Sequence, residues 1–288
     1  MNRMLSVLAA LLAALLVAVP ATAQEPAGDV FVQLADPQFG MYTNDRDFVQ
    51  ETANLEFAIA NINRLRPAFV IICGDLINKA GDALQRNEYR RITAMLDPAI
   101  HLYAVAGNHD VGNEPTPASL ADYREHFGPD YYSFQDGGIY GIVLDSSVIA
   151  APGAVEYEAA AQEKWLVAEL ARAQRSGARH IVVFQHHPWF TDDADEPDAY
   201  FNIPIETRQR YLAIFRDAEV RYVFAGHYHR NDYGTDGPLE MITSGPVGKP
   251  LGDDPSGIRI VRVTVDGLEH RYYAFGQIPN RLADMAQP

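Results

Sequence analysis

Five short apolar runs in this chain each break off into a loop carrying Asp, Asn, Gln or His. The runs 30–34, 68–73, 100–106, 180–185 and 220–225 are followed, in that order, by five polar segments. These are Asp36 with Gln38, Gly74-Asp75, Gly107-Asn108-His109-Asp110, His186-His187-Pro188, and Gly226-His227-Tyr228-His229. The run from Ala68 to Cys73 is apolar without a break, which suits a strand covered on both faces. Segments with helical spacing lie between the runs. Over 47–66, Leu55, Ile59 and Ile62 recur at i, i+4 and i+7, and Pro67 ends the pattern. Further helices are predicted over 82–96, 158–175 and 205–217, a strand over 140–144, and a β-rich tail at 239–243 and 257–274. Alternation of strand and helix predicts an α/β fold. In open α/β sheets ligands bind beyond the carboxyl ends of the strands, where neighbouring loops meet.

The polar loops draw on a narrow set of residues. Asp36, Gln38, Asp75, Asn108, His186, His227 and His229 offer two carboxylates, two amides and three imidazoles, with His109 besides. That donor set holds oxygen and nitrogen only. The one cysteine, Cys73, ends an apolar strand and reads as an inert buried thiol; a single cysteine excludes an intramolecular disulfide framework and any Cys-cluster metal site. Seven side chains exceed what one ion uses, so two ions sharing a bridge is the economical arrangement, with the Asp75 carboxylate as the bridge. Two divalent ions about 3.5–4 Å apart polarise a phosphoryl group and generate hydroxide near neutral pH.

Charge narrows the partners. With 38 acidic against 23 basic residues the chain carries a formal charge of −15, which argues against general nucleic-acid or anionic-membrane binding. Asp192, Asp193, Asp195, Glu196 and Asp198 form an acidic run read as a solvated loop; a sharper reading has it rim the site and repel polyanions. Residues 1–23 stand apart. Arg3, an uncharged run over 5–19, Pro20 and the small-x-small site Ala21-Thr22-Ala23 predict a cleavable secretory signal. Export to the periplasm or medium follows, with no stable membrane anchoring after cleavage, and 24–288 is expected to form one domain.

Gly74-Asp75, Gly107-Asn108-His109-Asp110, His186-x-Pro188 and Gly226-His227-Tyr228-His229, in this order at strand ends, resemble the motifs of the calcineurin-like metallophosphoesterase superfamily. Ala35-Asp36-Pro37-Gln38-Phe39-Gly40, the extension of the second motif to Asn113, and His270-Arg271-Tyr272-Tyr273 resemble its calcineurin-like phosphoesterase domain-containing Ser/Thr-protein phosphatase branch. The similarity runs over about 31–273. It implies a four-layer αββα sandwich, two mixed β-sheets flanked by helices. It also implies one ion (Mn, Fe, Zn or Mg) held by Asp36, Gln38, Asp75 and His229, and a second held by Asp75, Asn108, His186 and His227. His109 would face the substrate, protonating the leaving oxygen or steadying phosphoryl charge, and Asp110 would orient its ring.

Two departures accompany the resemblance. Gln38 stands where most of the superfamily has His, and Asn78 where the Gly-Asp motif usually continues to Asp. An amide oxygen is a weaker ligand than imidazole and favours harder ions such as Mn²⁺ or Mg²⁺. Arg230 and Asn231, directly after His229, are candidate substrate contacts, with Lys249 in the Gly/Pro-rich 245–252 loop as a weaker one. The expected function is hydrolysis of phosphomonoesters, on small phosphorylated substrates or phosphopeptides. The alternatives are a phosphodiesterase or nucleotidase using the same site, and a non-catalytic metal-stabilised binding protein.

Overall fold

In the computed structural model, which describes residues 27–284, β1 (Ala27–Leu34) and β2 (Pro67–Cys73) lie parallel and side by side. Helix α1 (Val49–Leu65) joins them and buries Leu55, Ile59 and Ile62, the stripe predicted from spacing, together with Ala58 and Leu65. Arg66 ends it in the left-handed conformation, its N–H donating to the Ile62 carbonyl, and Pro67 cannot continue it. Helix α2 (Ala83–Thr93) starts at Asp82, whose carboxylate accepts from two backbone N–H groups, and leads to β3 (His101–Val105), parallel to β2. Next come α3 (Asn108–Val111), α4 (Pro117–Phe127), β4 (Tyr132–Asp136), β5 (Ile139–Val143), α5 (Ser146–Ala150), α6 (Glu156–Ala173) and β6 (His180–Phe184). The chain closes with α7 (Ile205–Asp217), β7 (Tyr222–Ala225), β8 (Asp232–Asp236), β9 (Leu239–Thr243), β10 (Gly257–Val263) and β11 (Leu268–Ala274).

The strands form two mixed sheets, one in the order β11-β10-β1-β2-β3 and the other β4-β5-β6-β7-β9-β8. Helices α1, α2 and α4 cover the outer face of the first through Ile59, Ile62, Ile92 and Leu120. Helices α6 and α7 cover the second through Leu166, Leu170, Leu212 and Phe215. Between the sheets lies an aromatic layer. Phe31 stacks on Phe69 at 4.7 Å and meets Phe184 and Phe224 edge-on at 5.8 and 5.6 Å. Burial of each such ring contributes roughly 1.5–3 kcal/mol, so this layer fixes the two sheets face to face. The four-layer αββα arrangement is the one expected.

Several elements go beyond the sequence reading. Edge strands β4 and β8 have few apolar side chains, and β8 (Asp-Tyr-Gly-Thr-Asp) has no periodic signal; pairing with β5 and β9 makes them strands. Helix α4 begins in a capping box, Thr116 accepting from the Ser119 N–H, with Pro117 at its first position. The β-rich tail is a hairpin, β10–β11, whose first strand lies antiparallel to β1. Cys73 is fully buried and its thiol, desolvated, is pushed far above its usual range, as an inert core cysteine should be. Residues 1–23, read as a secretory signal, lie outside the described residues. Among the described residues, no helix is long and apolar enough to cross a membrane.

Candidate metal centre

Both sheets deliver their strand ends to one place. Asp36 and Gln38 follow β1, Asp75 follows β2, Asn108 and His109 follow β3, His186 follows β6, and His227 and His229 follow β7. The backbone turns sharply at these points. Asp36, Gln38, Asp75, His227 and His229 all have positive φ, between 38° and 66°. A left-handed non-glycine residue costs roughly 1–2 kcal/mol. Such strain is tolerated where it aims a side chain that has work to do, here inward across the seam between the sheets. The loops interlock: Asp36 N–H donates to the Gly74 carbonyl at 3.2 Å and Gln38 N–H to the Asp75 carbonyl at 2.8 Å. His227 N–H donates to the Asp36 carboxylate at 3.1 Å.

Three imidazoles are held in one pattern. His186 Nδ1 lies 2.9 Å from the Cys73 carbonyl oxygen, His229 Nδ1 lies 2.6 Å from that of Lys249, and His227 Nε2 lies 3.1 Å from that of Tyr200. A carbonyl only accepts, so each of these nitrogens carries a proton and the opposite nitrogen is the one available to a metal ion. That is the outer-shell device by which proteins fix the tautomer of a metal-binding histidine. These opposite nitrogens converge. His186 Nε2 lies 2.9 Å from Asn108 Oδ1, 3.1 Å from His227 Nδ1 and 3.3 Å from Asp75 Oδ1; His229 Nε2 lies 3.5 Å from Asp36 Oδ1. Two overlapping groups emerge, Asp75 with His186 and His227, and Asp36 with Asp75 and His229, each having its ligand atoms within 4.8 Å of one another. Asp75 belongs to both.

The electrostatics call for a cation. Asp36 and Asp75 are buried and make no ion pair with Lys or Arg among the described residues. Burial pushes Asp36 up to about 6 although His229 and His186 pull the other way. Burial also opposes the charge of Asp75, but His186, His109 and His227 crowd around it and hold it well below the usual carboxylate range. For His186, burial opposes protonation and the two carboxylates overcome it, carrying the ring to about 9. His227, buried beside His186, falls to about 3. The Gln38 Oε1 atom is buried without any hydrogen-bond partner, a state that costs about 1–3 kcal/mol and that a divalent ion would relieve. Carboxylate, amide and imidazole donors without thiolate suit Mn²⁺, Mg²⁺, Fe²⁺ or Zn²⁺.

His109 sits at this centre in neither group. Its backbone N–H donates to Asp75 Oδ1 at 2.9 Å and its ring Nδ1 lies 2.7 Å from the Asn78 carbonyl oxygen. Asp110 does not orient that ring. Its carboxylate accepts from the backbone N–H groups of Leu76, Ile77 and Gly107, at 3.1, 3.1 and 2.9 Å, and so ties the β2 and β3 loops together. The expectation failed because adjacency in sequence says nothing about direction on the short helix α3. Asn231 is likewise turned away: its Oδ1 accepts from Gly245 N–H at 3.1 Å and from Arg259 at 2.9 Å. Arg230 is exposed, stacked 5.0 Å over the Tyr228 ring and donating to the Leu251 carbonyl. Lys249 contributes its carbonyl to His229, while its Nζ lies 6.0 Å over the Tyr42 ring. His187 packs 4.2 Å from the His227 ring and pairs with Ser146 Oγ.

Three positioning roles escaped the sequence reading, although their motifs single out Asn78 and Asn113. Asn113 Oδ1 accepts from Asn108 Nδ2 at 2.8 Å, which turns the Asn108 oxygen towards His186. Asn78 contributes its carbonyl to His109. Tyr200 offers its carbonyl to His227 and places its ring 5.0 Å from that imidazole, its hydroxyl 3.4 Å from Asn108 Nδ2. Tyr200 ends the acidic segment, which is more than a solvated loop. Glu196 accepts from Thr191, Asp192 and Asn202, and the fully buried Arg208 donates to the carbonyls of Ala194, Glu196 and Ile203. An aromatic pair directly after an acidic run, in the loop following a ligand-bearing strand, was the available signal.

The β2 and β3 loops approach so closely that residue 107 has no room for a side chain. A Cβ there would overlap the Asp75 amide and carboxylate. Gly107→Ala is expected to lower the melting temperature by several degrees and to abolish Mn²⁺ uptake. A wild-type melt with full uptake, measured by scanning calorimetry and metal analysis, would contradict that packing.

Buried carboxylates and imidazoles on strand-end loops are the equipment of a divalent-cation site, and on this sandwich they define a metallophosphoesterase. The calcineurin-like phosphoesterase family matches residues 30–231, and the chain belongs to that family. It is 38% identical over 267 residues to serine/threonine-protein phosphatase CPPED1 of Homo sapiens, spanning 87% of this chain and 85% of the relative. Its fold is similar to that of a dimetal phosphatase from Danio rerio, with a TM-score of 0.61 at 18% identity over 87% of this chain and 97% of the other. It is also similar to GAP50, the anchor in the inner membrane complex of Plasmodium, with a TM-score of 0.63 at 14% identity over 85% and 84%. The likeness to those two is one of fold. Family and relatives together make the chain a metal-dependent phosphatase.

Proposed function

We propose that the chain is an exported hydrolase of phosphomonoesters whose centre takes two divalent ions, most readily Mn²⁺. The observation that supports this best is the shared position of Asp75 in both ligand groups. Asp36, Gln38, Asp75 and His229 would hold one ion, and Asp75, Asn108, His186 and His227 the other. When bound, the ions supply Lewis-acid polarisation of the phosphoryl group and an activated water. The protein's own part is positional. The carbonyls of Cys73, Lys249 and Tyr200 keep the three ligand imidazoles in the required tautomer. The Asn78 carbonyl holds His109 Nδ1–H, so that in the imidazolium form the Nε2 proton is the one left to pass to the leaving oxygen. Arg230 is the proposed contact for a phosphate oxygen from the rim. The secretory signal at 1–23 and a single domain over 24–288 belong to the same reading, which places the enzyme in the periplasm or medium, with a small phosphorylated substrate or phosphopeptide as its partner.

Purified protein with Mn²⁺ should hydrolyse an aryl phosphomonoester and a phosphopeptide faster than a diester; hydrolysis of none of the three would refute the reading. The acidic strap contributes discrimination against polyanions. Asp192, Asp193, Asp195 and Asp198 are exposed on the segment that brings Tyr200 to His227, whereas Glu196 holds that segment together. Replacing the four exposed Asp by Asn keeps their hydrogen-bond acceptors and removes their charge. The quadruple variant should raise hydrolysis of nucleoside triphosphates relative to a small monoester. An unchanged ratio would show that the strap plays no electrostatic part.

A further inference from the structure

Gln38 and Asn78 depart together from the superfamily pattern, and the structure links them. Gln38 Nε2 donates to Asn78 Oδ1 at 3.1 Å, and Asn78 Nδ2 donates to Asp45 Oδ1 at 2.7 Å. The same Asp45 oxygen accepts from Gln85 Nε2 at 2.8 Å. Gln85 has no choice of orientation, because its Oε1 accepts from the backbone N–H groups of Asn78 and Lys79, both at 3.0 Å. Gln85 is therefore oriented by groups that only donate and Asn78 by a carboxylate that only accepts, and Gln38 takes its orientation from Asn78. A carboxylate at Asp45 requires an NH₂ from Asn78, which presents the Asn78 oxygen to Gln38. Gln38 must then offer its NH₂ to Asn78 and keep Oε1, buried and without a partner, for something else. Gly40 makes room for the junction, since a Cβ there would lie 2.6 Å from Gln85 Nε2 and 2.7 Å from Asp45 Oδ1.

We infer that Asp45 is a positioning residue for the metal centre, acting through Asn78 to aim the Gln38 amide oxygen at the cation beside Asp36 and Asp75. The inference rests on the metal reading of this site. It accounts for both departures at once: an Asp at position 78 would set its carboxylate against that of Asp45, so an oxygen ligand at position 38 and an amide at position 78 belong together. Asp45 itself is exposed and touches no proposed ligand other than through the relay.

The test is Mn²⁺ affinity by isothermal titration of the full chain, read without any substrate. Asp45→Ala should bind about tenfold more weakly, the lower end of what outer-shell partners contribute. Asp45→Asn, whose side-chain oxygen can take the same hydrogen bonds, should bind within about twofold of wild type. In a Gln38→Met background, which has no amide to orient, adding Asp45→Ala should change nothing further. Wild-type affinity in Asp45→Ala would overturn the relay, as would a tenfold loss that persists beside Gln38→Met, since that would mean general loosening of the loop. Wild-type protein that takes up no Mn²⁺ would overturn the metal centre and the relay with it; wild-type uptake with an unaffected Asp45→Ala overturns the relay alone.

Discussion

Asp75→Ala is expected to abolish both ion uptake and phosphoester hydrolysis. Asp75 is the carboxylate common to both ligand groups, and its Oδ1 also accepts the His109 backbone N–H at 2.9 Å. The substitution therefore removes a donor from each group and loosens the seat of His109 at once. Loss of an outer-shell partner typically lowers metal affinity or activity 10–100-fold, and loss of a shared ligand should exceed that range. Ligand-linked stability gives an independent readout. Metal that binds the folded chain raises its melting temperature with concentration, so wild-type protein should melt higher as Mn²⁺ is added and Asp75→Ala should not. Metal content, the Mn²⁺-dependent shift and turnover are all measurable on one preparation. Retention of metal together with full activity would refute the assignment.

His109→Ala is expected to do the opposite on one count. It lies in neither ligand group, and the backbone N–H that it gives Asp75 survives the substitution. Mn²⁺ affinity should therefore stay close to wild type. Turnover should fall by about 10²–10⁴-fold, the usual worth of a positioned acid or base. The size of the loss should depend on the leaving group. An aryl oxide departs without much help, whereas a serine-type alkoxide needs a proton as the bond breaks, so the penalty should be larger for the alkyl ester. Equal losses for both esters would mean that the ring steadies phosphoryl charge and transfers no proton. Full activity in the variant would remove His109 from the mechanism.

The donor set was legible because it falls at a recognisable place. A continuous apolar run such as 68–73 suits a covered strand, and the polar residue after it then lies at the carboxyl end of the sheet, so Asp75 could be placed from the sequence. The same logic placed Asp36, Asn108, His186, His227 and His229. Other roles depended on direction. Asp110 and Asn231 are each next to a site residue in sequence, yet their side chains serve Leu76, Ile77 and Gly107 in one case and Gly245 and Arg259 in the other. Strand β8 has no hydrophobic alternation to announce it and exists through its ladder with β9.

What the residues alone establish is the chemistry available: carboxylates, amides and imidazoles, without thiolate, at the ends of buried strands, on a chain of formal charge −15. What the folded chain adds is which atom of each side chain is free to use. One proton on each of the three clustered imidazoles is located by the carbonyl of Cys73, Lys249 or Tyr200, and one on His109 by the carbonyl of Asn78. Every residue has a carbonyl, so such a partner leaves no mark in the sequence. It becomes a specific one only when two distant loops are brought within about 3 Å, the reach of a hydrogen bond.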